Sequence, residues 1–272
     1  MIQERLKALR AEMEKRGITV YVVPTADFHE SEYVGDHFKA RKFITGFTGS
    51  AGTAVITLDE AGLWTDGRYF VQAENQLKDS TVTLYRMGEE GVPTVDEFVK
   101  DRLKEGGCLG FDGRVVNGTW GGKLEKIAAE KNVSMHVTED LIDLIWEDRP
   151  ALSKQPLFIL EEKYSGKSTA DKIADLRKAM KENGADVHIL TSLYDIAWLL
   201  NIRGNDIDYV PVVLSYLVLN ETECIWFLQE EVVDDKIHAY LEENHITTKP
   251  YDAIYDYVPE IPADAVVLMN RG

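Results

Sequence analysis

Residues 43–70 read FITGFTGSAGTAVITLDEAGLWTDGRYF, and this stretch decides the fold of the 272-residue chain. Its first part is rich in glycine, which recurs where the backbone takes a positive φ or approaches another segment closely. We therefore expect an ordered loop of defined conformation rather than a flexible linker. After the loop, Ala54–Leu58 is predicted as a β-strand, residues 59–62 as a tight acidic turn, and Leu63–Thr65 as the second strand of a hairpin.

No complete catalytic motif fits the glycine loop. A nucleophile elbow, G-x-S-x-G, would need glycine two residues before Ser50, where Thr48 stands, and the lysine and spacing of a phosphate loop are missing. Further along, Asp66 and Arg68 flank a glycine, a pattern typical of a turn in which aspartate accepts backbone amides and pairs with arginine. We therefore interpret the whole segment as structural.

A second copy of one pattern begins 167 residues further along the chain. In both copies apolar residues recur on one face of a helix, a glycine (Gly17 or Gly184) stands where a left-handed residue ends a helix, and a short apolar strand follows. The aligned pairs include Leu9 with Leu176, Arg10 with Arg177, Met13 with Met180, and Val20 with Val187. The sequence therefore predicts two related α/β domains in tandem.

Other elements are predicted from local signals. Capping-box patterns at residues 94–97 and 168–171 each indicate the start of a helix. We also expect a closing helix over Asp140–Trp146, a helix over Glu230–Asn244 and a strand over Ala265–Met269.

Charge and composition limit the classes of function. The chain carries 30 basic and 47 acidic side chains, a net charge of −17, which argues against a general nucleic-acid binder. Residues 220–272 contain 12 acidic and 3 basic side chains, which indicates either a solvated surface or a surface for a basic protein. There is no signal-peptide pattern, no C-x-x-C pair and no apolar stretch of the ~20 residues that a membrane span needs. We expect a cytoplasmic protein without membrane or nucleic-acid partners.

Metal-ligand and binding patterns are sparse. None of the six histidines forms an H-E-x-x-H or another compact ligand pair, so we expect no metal site in this chain. His29 is expected at the surface and His188 in the core. The polar loop of residues 201–206, between two apolar segments, is the best candidate for binding, although an ordinary connecting loop is an equally good interpretation.

Several motifs resemble one enzyme family across nearly the whole chain. Arg41–Thr53 and Trp64–Phe70 are similar to the N-terminal domain of the creatinase/prolidase/aminopeptidase P family. Ile145–Pro150 resembles its interdomain junction, and Tyr164–Ser168 and Leu199–Ile207 resemble the second domain of the long, three-domain Xaa-Pro aminopeptidases. One departure follows, where residues 208–211 read Asp-Tyr-Val-Pro and relatives often read Pro-Tyr-Asn-Pro.

This resemblance implies an α/β fold with two tandem related domains. Each would be a mixed sheet flanked by helices, creatinase N-terminal-like with a ribonuclease-H-like topology, and the catalytic pita-bread domain would be absent. The expected bounds are 1–150 for the first domain, 151–164 for a linker and 165–272 for the second domain, with a boundary introduced by cloning at Gly272.

The resemblance also implies a function. Members of the family are metallopeptidases that hydrolyse the N-terminal Xaa-Pro bond of peptides with proline at the second position. Their C-terminal domain holds two divalent metals, usually manganese, through two aspartates, a histidine and two glutamates, and none of these can be placed on this chain. The two domains present would support a homodimer and restrict access to the active site, with no catalytic residue and no metal of their own.

Three residues are the candidates for the rim of that access path, namely Arg203, Asn205 and Asp206. The alternative function is a non-enzymatic, acidic protein-binding module, similar to the histone-chaperone relatives that share this N-terminal fold.

Overall fold

A computed structural model describes residues Met1–Asn270, and the chain divides into two units, the first from Met1 to Ala151 and the second from Leu152 onward. The helices of the first unit are α1 (Ile2–Lys15), α2 (Ala40–Thr45), α3 (Phe70–Leu77), α4 (Val95–Arg102) and α5 (Gly118–Lys131). Its strands are β1 (Val20–Pro24), β2 (Thr53–Thr57), β3 (Ala61–Thr65), β4 (Thr83–Arg86), β5 (Cys108–Gly110) and β6 (Ser134–His136).

The first unit is a mixed six-stranded sheet in the order β4-β3-β2-β1-β5-β6. The hairpin predicted in the opening segment is present, with β2 antiparallel to β3 and Thr53 opposite Trp64. β1 runs antiparallel to β2 and parallel to β5, and β3 runs parallel to β4. Alternate residues along the strands from β1 to β5 supply two separate apolar cores. The predicted mixed sheet flanked by helices is therefore confirmed for this unit.

The second unit is built on the same plan. Its helices are α6 (Glu162–Ser165), α7 (Thr169–Glu182), α8 (Leu193–Leu200), α9 (Asp235–Glu243) and α10 (Ile254–Tyr257). Its strands are β7 (Phe158–Ile159), β8 (Val187–Leu190), β9 (Ile202–Arg203), β10 (Ser215–Asn220), β11 (Cys224–Leu228), β12 (Thr247–Pro250) and β13 (Val267–Met269). The main sheet has the order β12-β11-β10-β8-β13, and β7 pairs with β9 in a small sheet of two strands.

The internal repeat is visible strand by strand. The sheet order of the second unit matches that of the first, with β8 in the place of β1 and β13 in the place of β5, but no described strand stands in the place of β6. α1 and α7 both have 14 residues, and Gly17 and Gly184 both take φ +67° immediately after them, as predicted. The conserved spacing of the two copies therefore follows from one supersecondary plan used twice.

The predicted closing helix over residues 140–146 is wrong. The stretch closes only a single turn, in which the amides of Ile145 and Trp146 share the Ile142 carbonyl at 3.1 and 3.0 Å, and tertiary hydrogen bonds fix its first residues. The amide of Leu141 donates to the Tyr21 hydroxyl at 2.9 Å, and that of Ile142 donates to the Asp140 carboxylate at 2.9 Å. The second Asp140 oxygen accepts from Arg149 at 2.6 Å.

Other bounds were close to the expectation. The helix predicted from Glu230 begins only at Asp235, because Asp234 caps it by accepting from the amide of Ile237 at 2.8 Å. The capping box at residues 94–97 is complete, whereas at 168–171 only the Ser168 half is formed. Residues 151–164 contain β7 and the start of α6, so the bounds 1–150, 151–164 and 165–272 stay a prediction, and the boundary at Gly272 lies outside the described residues.

Candidate functional site

The glycine loop of residues 46–52 is organised around the buried side chain of Arg41. The guanidinium, 3% exposed, donates from Nε to the Thr25 hydroxyl at 2.9 Å, from Nη1 to the Phe47 carbonyl at 2.6 Å and from Nη2 to the Gly49 carbonyl. Burial lowers the pKa of Arg41 to about 10. The loop therefore turns carbonyl oxygens towards a cation, the reverse of a phosphate loop, which turns amides towards an anion.

The glycines of this loop are required by close packing. A Cβ atom on Gly49 would lie 2.2 Å from the Phe47 ring, and one on Gly52 would lie 2.8 Å from the Trp64 carbonyl oxygen. Gly46 ends α2 with φ +79°, a conformation that favours glycine. The interpretation of the segment as a close-packed turn is confirmed by this geometry. Sequence reasoning gave Arg41 no role, because its partners Thr25, Phe47 and Gly49 come together only in the folded chain.

The outer face of the loop carries hydrogen-bonding side chains that are already paired. The Ser50 hydroxyl lies 2.6 Å from the Tyr69 hydroxyl, and within Met1–Asn270 it makes no hydrogen bond to a histidine, carboxylate or amine that could activate it as a nucleophile. The Thr48 hydroxyl accepts from the amides of Gln72 at 2.9 Å and Gln76 at 2.8 Å. These pairs fix the loop against α3.

The Asp66-Gly67-Arg68 turn has the ion pair expected from its sequence. Arg68 donates to the Asp66 carboxylate from Nε at 2.8 Å, from Nη2 at 2.9 Å and from its backbone amide at 3.0 Å. These hydrogen bonds from Arg68 lower the pKa of Asp66 to about 2. A carboxyl group that is ionised at every physiological pH is poorly suited to act as a general acid.

The predicted rim loop of residues 201–206 separates into residues that hold the loop and one that faces solvent. Arg203 lies in β9 and donates from Nη1 to the carbonyl of Ala197, in α8, and to that of Ile202 at 3.1 Å. Its partial burial lowers the pKa of the guanidinium. Asn205, two residues further on, is exposed.

Asp206 is the buried anchor of the same loop. Its carboxylate, 8% exposed, accepts from the backbone amides of Leu214 at 2.8 Å and Gln155 at 3.2 Å. Burial raises the pKa of Asp206, and these hydrogen bonds act in the opposite direction. The carboxylate thus joins three segments of the second unit, and the structure brings only Asn205 of the three predicted rim residues fully to the surface.

Lys172 supports this loop from α7 through Asn201, and its role was missed in the sequence. The Lys172 ammonium is buried, and it donates to the Trp198 carbonyl and to the Asn201 side-chain oxygen, both at 2.7 Å. Desolvation lowers the pKa of Lys172. Asn201 ends α8 at φ +51° and donates to the Lys167 carbonyl at 2.9 Å. The only available signal was a lysine on the apolar face of α7.

Histidines and acidic groups do not form a metal centre in the described chain. Across Met1–Asn270 no group of three or more histidine, cysteine, aspartate or glutamate side chains is placed to hold a metal ion. His29 is buried, contrary to the expected surface position, and His188 is only partly buried. His37 lies 2.8 Å from the Pro150 carbonyl through Nδ1, and burial lowers its pKa.

Both cysteines, Cys108 and Cys224, are buried in strands as predicted. None of the described helices is both long enough and apolar enough to cross a lipid bilayer.

Comparison with known proteins agrees with the fold. The creatinase/prolidase N-terminal domain family matches residues 5–145, and a second model with the same description matches residues 148–271. The probable Xaa-Pro aminopeptidase P of Neurospora crassa is 41% identical over 93% of this chain and 37% of its own length. That of Laccaria bicolor is 42% identical over 98% of this chain and 42% of its own length.

A solved structure gives the same result. The X-prolyl aminopeptidase from Caenorhabditis elegans, described as a cytosolic enzyme with a di-nuclear active site, superposes with a TM-score of 0.91 at 33% identity over 96% of this chain and 44% of that one. The chain spans about two fifths of the length of the relatives it matches. The two family matches, one in each unit, show that the chain belongs to the creatinase/prolidase N-terminal domain family and carries that domain twice.

Proposed function

We propose that this chain is the N-terminal, non-catalytic part of a metal-dependent Xaa-Pro aminopeptidase, which hydrolyses the peptide bond between an N-terminal residue and proline. One observation carries the proposal, namely the 41% identity over 93% of the chain to a relative that is more than twice as long. The hydrogen bonds that the glycine loop and Asp66 already make favour a structural role for these residues rather than a catalytic one.

The residues of this chain do not fit the two divalent metals, expected to be manganese, that the family implies. No suitable cluster of ligands exists within Met1–Asn270. The ligands would belong to another part of the protein. These two units would support a homodimer. They would also restrict access to the active site to peptides with a free, unstructured N-terminus. We place the enzyme in the cytosol.

Asn205 is the residue that we place at the rim of that entry. It is exposed, while its neighbours Arg203 and Asp206 hold the loop through backbone oxygens and amides. A polar side chain on a rigid loop is well suited to guide a peptide backbone, because the loop does not have to be ordered on binding.

The central experiment compares two proteins, the chain of residues 1–272 and the product of the uninterrupted native reading frame. With manganese and a peptide that has proline in second place, the long protein is expected to release the N-terminal residue, and the 272-residue chain is expected to release none. A peptide with alanine in second place is the control substrate. Turnover by the short chain, or a native frame that stops at Gly272, contradicts the proposal.

The rim is tested in the long protein by Asn205→Ala. We expect a higher KM or a lower kcat for long peptides and little change for a tripeptide, since only long peptides reach the rim. Glu221→Ala, in the exposed turn between β10 and β11, is the matched control. Equal kinetics for the Asn205 and Glu221 variants would remove Asn205 from the rim.

One observation favours a second function, the binding of a basic protein. Residues 220–272 carry 12 acidic and 3 basic side chains, a charge that a basic partner would complement. Salt-sensitive binding of histones to the 272-residue chain, together with an inactive long protein, would favour this function over the peptidase.

A further inference from the structure

A cavity of about 370 Å³ opens in the first unit at the carboxyl ends of β3 and β4. Its walls are mostly apolar and include Met87, Val92, Pro93, Val95 and Trp120, with Asp96 as the single charged group. Parallel strands end together at this edge of the sheet, which is where ligands commonly bind in open α/β sheets. Neither the glycine loop nor the rim loop of residues 201–206 uses this cavity.

The walls of the cavity are held rigidly. The Pro93 carbonyl accepts from the Trp64 indole at 2.8 Å, and the Trp64 ring is stacked on Tyr85 with 4.1 Å between centroids. The next residue, Thr94, exchanges hydrogen bonds with Glu97 in the capping box that begins α4. A site with preformed walls binds a ligand without first paying the entropy of ordering them.

Trp120 and Asp96 form the polar end of the cavity. The Trp120 indole Nε1 donates to Asp96 Oδ1 at 2.8 Å, and the Trp120 amide donates to the Asn117 side chain at 2.8 Å, which fixes the start of α5. The other carboxylate oxygen, Asp96 Oδ2, accepts no hydrogen bond from the described residues. The free oxygen of this carboxylate is left to accept a hydrogen bond from a cationic group.

We propose that this cavity binds a lysine or arginine side chain of an extended peptide. The apolar walls take the methylene stem, and Asp96 Oδ2 accepts a hydrogen bond from the charged head group. The lining contains one carboxylate and no lysine or arginine, so an anionic ligand is repelled. A purely apolar ligand is disfavoured because it removes water from Asp96 Oδ2 without replacing the hydrogen bond.

The site is independent of the proposed peptidase function, since its probes are peptides that no aminopeptidase can cleave. Pentapeptides that are acetylated at the N-terminus and amidated at the C-terminus carry alanine at four positions and, at the centre, arginine, lysine, citrulline or norleucine. They are titrated into the 272-residue chain, and the indole N–H resonance of Trp120 is followed by NMR. Trp120→Phe assigns this resonance among those of the five tryptophans.

The arginine and lysine peptides are expected to shift the Trp120 resonance with a dissociation constant on the order of 1 mM. The citrulline and norleucine peptides should bind about fivefold more weakly, because they have the stem without the charge. Added salt should weaken only the charged peptides. Equal binding of the lysine and norleucine peptides, or no shift with any peptide, overturns the proposal.

The matched variants are Asp96→Asn and Asp79→Asn. The asparagine oxygen at position 96 still accepts from the Trp120 indole, so the wall is kept and only the charge is removed. This variant should bind the arginine peptide about fivefold more weakly. Asp79, exposed and not part of the cavity lining, controls for the change in net charge and should bind as before. Equal weakening in both variants would mean that long-range charge, not the cavity, attracts the peptide.

Discussion

At the scale of single residues, buried cations hold both candidate loops. Arg41 bonds three oxygen atoms around the glycine loop, and Lys172 bonds two at the end of α8. Neither makes an ion pair with a carboxylate of the described chain. Burying a charge is costly unless hydrogen bonds replace its lost hydration, so the carbonyls that surround each cation define the loop.

Arg41→Met is therefore expected to destabilise the first unit by about 3 kcal/mol, because it leaves buried carbonyls without a donor. Hydrogen exchange of the β2 amides, followed by mass spectrometry, measures the change. Arg68→Met removes an arginine from the exposed turn nearby and should leave the same exchange nearly unchanged. Similar effects of the two variants would show that Arg41 does not hold the loop.

The ion pair between Asp66 and Arg68 makes the stability of the first unit depend on pH. Arg68 lowers its pKa from the ordinary 3.8 to about 2, so the pair contributes stability above pH 3.8 that is lost as the pH falls through 2. Arg68→Ala should return the Asp66 pKa towards 3.8, as followed by NMR titration of the carboxyl carbon. Arg102→Ala, at the end of α4, should leave that titration unchanged. An Asp66 pKa near 3.8 in the unaltered protein would contradict the assigned cause.

At the scale of elements, each of the two copies uses an arginine of its own long helix to hold the turn of its hairpin. From α1, Arg10 donates to the carbonyls of Thr57 at 2.9 Å and Glu60 at 3.0 Å, on the turn between β2 and β3. From α7, Arg177 donates to the carbonyl of Asn220 at 2.9 Å, where β10 ends. The aligned arginines thus have the same structural task.

Arg10→Ala and Arg177→Ala are each expected to lower the free energy of opening of their own turn by about 1 kcal/mol and to leave that of the other turn unchanged. Hydrogen exchange of peptides that cover residues 57–62 and 220–225 reports the two turns separately. Each variant is the control for the other. A change at both turns from either substitution would contradict a local clamp.

The sequence predicted these elements well where the signal was local or repeated. The hairpin, the helix-ending glycines Gly17 and Gly184 and the capping box at residues 94–97 each depend on neighbours within a few positions. The closing helix over residues 140–146 was wrong because the stretch closes a single turn whose first residues are held by tertiary partners, among them Tyr21, 120 residues earlier. The roles of Arg41, Lys172 and Asp206 could not be predicted from the sequence, because all three depend on tertiary partners.

At the scale of the whole molecule, each unit contains its own apolar cores. The clusters on the two sides of the first sheet are built only from residues up to Trp146. The cluster around α7, α8 and α9 is built only from residues from Leu157 onward. A core that is complete within one segment is the property expected of a domain that folds by itself.

Residues 1–151 are accordingly expected to fold alone. Their amide NMR spectrum should overlay that of the same residues in the 272-residue chain, and urea should unfold them in one cooperative transition. Residues 1–102 are the control, because they lack β5, the parallel partner of β1, together with α5, and they should not fold cooperatively. Loss of cooperative unfolding in residues 1–151 would contradict the prediction.

The position of β13 has a consequence for how the protein behaves in concentrated solution. Its counterpart β5 is covered on both sides by strands, but within Met1–Asn270 the outer side of β13 carries none, and Val267, Leu268 and Met269 are each at least 36% exposed. An apolar edge of this kind can template pairing with another chain, while the net charge of −17 keeps chains apart. Salt shortens the range of that repulsion to about 8 Å at physiological ionic strength. Raising the ionic strength is therefore expected to lower the concentration at which the 272-residue chain becomes turbid.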